Sequence, residues 1–111
     1  MEIICKTTGR AMVAVLKGEL DHHNAGQVRE ELERRFTLTG MRNLIFELSG
    51  LQFMDSSGLG ILIGRYKTVS ALGGQTRIAA PSAQADKLLR LAGIYKIIPV
   101  YETLSDAAAG L

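Results

Sequence analysis

The run Asn43-Leu44-Ile45-Phe46-Glu47-Leu48 sets the first limit on what this chain can become. Its apolar residues do not alternate with polar ones, as they would in a strand with one wet face, so it reads as a strand covered on both sides. Such a strand belongs near the middle of a sheet, and helices are the elements that cover it. Ala25, Val28, Leu32 and Phe36 recur at helical spacing, with Glu30/Arg34 and Glu31/Arg35 as outward i,i+4 pairs and Asp21 as the expected cap. Leu59, Leu62, Ile63, Tyr66, Val69 and Leu72 mark the buried face of a second helix, which Gly73-Gly74 stops. Pro81-Ser82 opens a third, with Ala85, Leu88, Leu89 and Ala92 inward and Gly93 in the left-handed closing position. Leu104 to Leu111 reads as a short docking helix.

Between these lie further strand signals. Ile3 to Thr7 and Met12 to Lys17, separated by Thr8-Gly9-Arg10, predict an N-terminal hairpin at one side of the sheet. Thr76 to Ala80 and Tyr95 to Val100 complete the set, and Pro99 points to a sheet edge or a strand end, because proline cannot donate to a ladder. Strands alternating with helices require crossovers. The expected fold is a single α/β domain over residues 1–111, a mostly parallel mixed sheet with an N-terminal β-hairpin and about four helices.

Composition narrows the function. At 111 residues the chain can bury a core without disulfides or a metal, and its single Cys5 cannot form an internal bridge. Thirteen Lys and Arg are scattered among eleven acids for a formal charge of +2, and aromatic residues make up 5% with no Trp. A nucleic-acid binder needs a clustered basic face, so nucleic acid is not an expected partner. No apolar run approaches the ~20 residues of a membrane helix, and Met1-Glu2-Ile3-Ile4-Cys5-Lys6 lacks the pattern of a signal peptide. The expectation is a cytoplasmic protein without membrane insertion.

Chemistry concentrates in Phe53-Met54-Asp55-Ser56-Ser57-Gly58-Leu59-Gly60, where the second helix begins. Asp55 is the natural N-cap, which leaves the hydroxyls of Ser56 and Ser57 at the positive end of the helix dipole. Asp, Ser and Gly crowd helix starts generally, so these residues by themselves favour simple capping. Gly58, Gly60 and Gly64 each cost about 1 kcal/mol relative to alanine inside a helix, which implies that something approaches the backbone there.

Enzymatic readings fail on context. A serine hydrolase elbow needs Gly-x-Ser-x-Gly, whereas Met54 and Asp55 precede the serines here. Asp21-His22-His23 has no third metal ligand at a useful spacing. The glycines miss the dinucleotide-binding spacing, and no Gly-Lys-Ser/Thr phosphate loop occurs. With no catalytic residues, cofactor or metal indicated, the reading is a binding module.

Gly18-Glu19-Leu20-Asp21-His22-His23 and Phe53-Met54-Asp55-Ser56-Ser57-Gly58-Leu59-Gly60-Ile61-Leu62-Ile63-Gly64-Arg65-Tyr66-Lys67 together resemble a STAS domain, and within that family the anti-anti-sigma factors of the sporulation sigma-F switch. The resemblance spans the whole chain. It implies a protein that binds an anti-sigma factor serine kinase, releases the sigma factor, and is phosphorylated by that kinase on Ser56, the first hydroxyl residue after the motif aspartate. Ser57 is a second candidate acceptor. A PP2C-type phosphatase acting on phosphorylated Ser56 would restore the active form. Asp21, His22, Asp55, Ser57 and Gly58 fall on the partner-binding surface by the same resemblance. Two alternatives stay open: a general-stress antagonist, which usually carries Ser-Thr at the acceptor pair and lacks the double histidine, and a ligand-sensing or scaffolding STAS domain.

Overall fold

The strand on which the sheet is built is β2 (Ala11–Leu20), because it pairs along its length with three others. β1 (Glu2–Thr8) runs antiparallel to it, from Thr8 opposite Ala11 to Glu2 opposite Lys17, and forms the predicted hairpin. On its other side β3 (Asn43–Glu47) lies parallel to the first half of β2, with Ala11 opposite Asn43 and Val15 opposite Glu47. The second half takes a different parallel partner, β4 (Leu51–Met54). β5 (Thr76–Ala79) and β6 (Val100–Tyr101) continue the sheet beyond β3, giving the order β1-β2-β3-β5-β6 with β4 paired to β2 off this path. The computed structural model describes residues 1–111.

Helices α1 (Ala25–Thr39), α2 (Ser56–Ala71), α3 (Ala83–Leu91) and α4 (Leu104–Ala108) complete the architecture. Side chains alternate along each strand, so Met12, Ala14, Leu16, Leu44, Phe46 and Ile78 join the main core with Val28, Leu32, Leu62, Val69 and Leu89 of α1 to α3. Ala11, Val13, Val15, Ile45 and Ala79 point the other way, onto a smaller core closed by Ala107 of α4. Leu44, Ile45 and Phe46 are all buried, and β3 occupies the middle of the strand order, as its unbroken apolar run requires. The fold is the expected α/β arrangement of four helices and a six-stranded mixed sheet.

Local expectations differ from the structure at several points. β4 was not anticipated as a strand: its burial does not alternate, since Leu51 and Met54 turn inward while Gln52 and Phe53 face out. Residues 94–96 form a 3-10 turn, and the last strand is Val100–Tyr101, with Pro99 immediately ahead of it. Ile94 and Ile98 both enter the core, a spacing of four that a turn provides and a strand does not. Leu72 and Ala92 are exposed, because each lies at the C-cap, where its helix leaves the core. Glu31, not Glu30, holds Arg34 as well as Arg35, and Glu33 draws Arg29 and the α2 residue Arg65.

Thr76 is 3% exposed and its hydroxyl has no hydrogen-bond partner. An unpaired buried hydroxyl is destabilising. Thr76→Val keeps the shape and removes the orphaned group, so it should raise the free energy of unfolding by about 1 kcal/mol in denaturant titration. A lower stability would mean that the hydroxyl is satisfied in solution.

Candidate functional site

Parallel pairing decides where the polar residues meet. Leu20 and Met54 stand opposite each other at the C-terminal ends of β2 and β4, so the residues that follow, Asp21 and Asp55, emerge side by side. The Asp55 amide donates to the Leu20 carbonyl at 3.2 Å, which carries the pairing to the end of the strands. Gly18 enables this. With φ at +102° it adopts a backbone that side-chain-bearing residues rarely take, and the register of β2 against β4 shifts just after it.

Asp55 caps α2 as expected, in extended conformation, with its carboxylate accepting the Ser57 amide at 2.8 Å. Its other oxygen, Oδ2, accepts the His22 amide at 3.1 Å and lies 3.4 Å from His22 Nδ1. One carboxylate therefore joins the two sequence motifs. Partial burial pushes the Asp55 carboxyl up, but the Ser57 amide, the His22 ring and amide, and the Gly58 amide together hold it below the ordinary aspartate value. Ser56 begins the helix and is exposed, with its hydroxyl in none of these bonds, while Ser57 is half-buried.

Asp21 does not cap α1. The N-cap position is Asn24, and the Asp21 carboxylate instead accepts the His23 and Asn24 amides at 2.9 and 3.2 Å, folding the turn between β2 and the helix. Asn24 returns two bonds, accepting the Asp21 amide and donating to the Glu19 carbonyl. The His22 and His23 rings lie against each other with centroids 4.0 Å apart and planes tilted by 38°. The close approach expected of three glycines holds for one. A Cβ on Gly58 would sit 2.3 Å from Met54 Cγ and 3.2 Å from Leu20 Cδ2, whereas Gly60 and Gly64 face open space.

The structure thus gathers Asp21, His22, Asp55, Ser56, Ser57 and Gly58 at one end of the sheet. Sequence reasoning missed Asn24, whose place after Asp-His-His was the available signal, and it gave no hint that Phe53, the first residue of the motif it singled out, stands 48% exposed on β4 two residues before the cap. Ser82 caps α3 through Ala85 where the sequence placed the helix start, and it also donates its hydroxyl to the Leu51 carbonyl at 2.6 Å, a bond the sequence did not announce, fastening α3 to β4.

A family model described as STAS domain matches residues 2–107. The chain is 35% identical over 100 residues to the anti-sigma F factor antagonist of Paenibacillus polymyxa, covering 90% of this chain and 86% of that one. Among solved structures it is similar to the anti-sigma factor antagonist SpoIIAA in its unphosphorylated form, with a TM-score of 0.74 and 27% identity over 96% of this chain and 94% of that one. It is equally similar to the Bacillus cell fate determinant SpoIIAA in the phosphorylated form, with a TM-score of 0.73 and 29% identity over 96% of each chain.

Two measurements check this geometry. Gly58→Ala should destabilise the domain by about 1 to 2 kcal/mol, as overpacking outweighs the gain in helix propensity. Gly60→Ala, with nothing to clash against, should instead stabilise it by up to ~1 kcal/mol; equal effects would contradict the packing. Because the folded-state value of Asp55 is lowered, its stabilisation is present at neutral pH and is lost as pH falls through that value. The stability gap between wild type and Asp55→Ala should accordingly narrow below about pH 4, and a gap that stays constant from neutral pH to pH 3 would refute the assignment.

Proposed function

This chain belongs to the STAS domain family, and from that membership we propose that it is an anti-sigma factor antagonist: it binds an anti-sigma factor serine kinase, frees a sigma factor for sporulation transcription, and is switched off by phosphorylation of Ser56. The observation that carries the reading is the placement of Ser56. Its hydroxyl is exposed at the first turn of α2, the adjacent cap is supplied by Asp55, and the turn bearing Asp21 and His22 is bound to that same cap. Acceptor and partner-binding residues then form one surface. A PP2C-type phosphatase would reset it.

The energetics favour a switch that leaves the domain folded. Phosphate brings about −1.5 to −2 charges, and at a helix N-terminus an anion gains ~0.3 to 1 kcal/mol. Removing the serine hydroxyl from use does not touch the cap, because Asp55 provides it. The likeness to SpoIIAA is the same for its phosphorylated and unphosphorylated forms, which supports a modification without refolding. The loss falls on the complex, where a partner shaped to a neutral hydroxyl must desolvate a dianion. About 4 kcal/mol there weakens binding roughly a thousandfold.

Incubation with an anti-sigma factor serine kinase of the sigma-F class and ATP, followed by mass measurement and phosphopeptide mapping, tests this directly. One phosphate on Ser56, none on Ser56→Ala, and an unchanged or slightly higher melting temperature are expected. Label on Ser57 would move the acceptor, and a large fall in melting temperature would replace the surface switch with refolding. Asp21→Asn keeps a side-chain acceptor for the His23 and Asn24 amides. It should weaken kinase binding while preserving stability, and undiminished binding would remove Asp21 from the interface.

A further inference from the structure

His22 is joined to Asp55 twice, and the fold needs only one of the two contacts. Its amide bond to Oδ2 already fastens the β2–α1 turn to the α2 cap. The ring adds a titratable group 3.4 Å from the same oxygen. It remains 69% exposed and is backed by the His23 ring. No lysine or arginine pairs with Asp55 or Asp21; the ion pairs made by arginine lie elsewhere, on Glu31, Glu33 and Asp86. Of the side chains that can carry positive charge, the His22 imidazole is the one within 4.0 Å of the Asp55 carboxylate, and Ser56 is the next residue along the chain from Asp55.

We propose that His22 is the proton-binding counter-group for a phosphate on Ser56, so that phosphorylation takes up a solvent proton on the imidazole and the phosphorylated state is favoured as pH falls toward 6. This rests on the Ser56 reading and specifies how that site is regulated. A nearby dianion favours the charged form of an imidazole, and by linkage the imidazolium favours the dianionic form of the phosphate. At low ionic strength in nearly water-like surroundings, two negative charges placed about 8 Å from an imidazole move its midpoint by roughly half to one pH unit, and salt reduces this. The groups against the ring are the Asp55 carboxylate from the α2 cap and the His23 ring from its own turn, with the Asp21 carboxylate bound to the amides of that turn. All are present in both states, so a comparison of the two isolates the phosphate.

The test uses the full chain carrying genetically encoded phosphoserine at position 56, which requires no kinase, beside the unmodified protein. NMR titration of the two imidazoles should place the His22 midpoint roughly half to one unit higher in the phosphorylated protein, with a smaller change at His23. Titration of the phosphorus signal should show the second ionisation at higher pH in His22→Gln than in wild type, by several tenths of a unit, with less change in His23→Gln. His22→Gln retains the backbone amide that holds the turn, and the imidazole titration needs no substitution at all. His22 midpoints that agree within about 0.2 units between the two forms would overturn the proposal, as would equal effects of the two glutamine variants. Failure of the kinase to label Ser56 would sink the functional reading while leaving this titration readable. Labelled Ser56 without proton coupling would sink only the role of His22.

Discussion

The division of β2 between two partners is the constraint on which the rest depends. Its first half needs β3 as a parallel neighbour to build the covered centre of the sheet, and its second half needs β4. Both demands are met by one strand because the backbone changes course at Gly18, where the amide turns to the Gly50 carbonyl. Parallel strands place like ends together, so the loops leaving β2 and β4 share one end of the molecule, the usual location of sites in such sheets. Packing holds the join. Met54 and Leu20 close against the bare backbone of Gly58, which brings the start of α2 down onto the strand ends.

Periodicity made much of this fold legible in advance. The unbroken run through Leu44, Ile45 and Phe46 identified the central strand, and the spacing of Val28, Leu32 and Phe36 identified α1, because burial repeats with the geometry of the element. Where that repeat is broken, the reading failed. β4 is too short and too irregular to alternate, and Ile94 and Ile98 are buried by a turn that imitates an apolar strand in composition. At the site, the cap at Asp55 was legible because capping is local. The bond from His22 was not, since it depends on a strand pairing that no local pattern announces. Asp21 carried the right polarity but a different duty, because Asn24 stands closer to the helix and Asp21 shapes the turn before it.

The distribution of work over one carboxylate explains how a helix start holds its geometry while leaving a hydroxyl exposed. Oδ1 of Asp55 serves the helix, Oδ2 serves the neighbouring turn, and the hydroxyl next to it serves neither. Residues that fix the geometry are thus different from the residue that presents chemistry. Phe53 on β4 and Gly60 on α2 are exposed as well, and neither is used by the core.

Ser82 shows how tightly the supporting layer is specified. Its oxygen accepts the Ala85 amide to start α3 while its proton goes to the Leu51 carbonyl of β4, and its own amide reaches the Leu48 carbonyl. A side chain at that position must both accept and donate within one short reach. Aspartate, an excellent cap elsewhere, has no proton to give when ionised, and alanine can do neither. The choice of residue at the start of α3 is therefore governed by the strand that leads into Asp55, so a substitution at Ser82 acts on α3 and on that strand together.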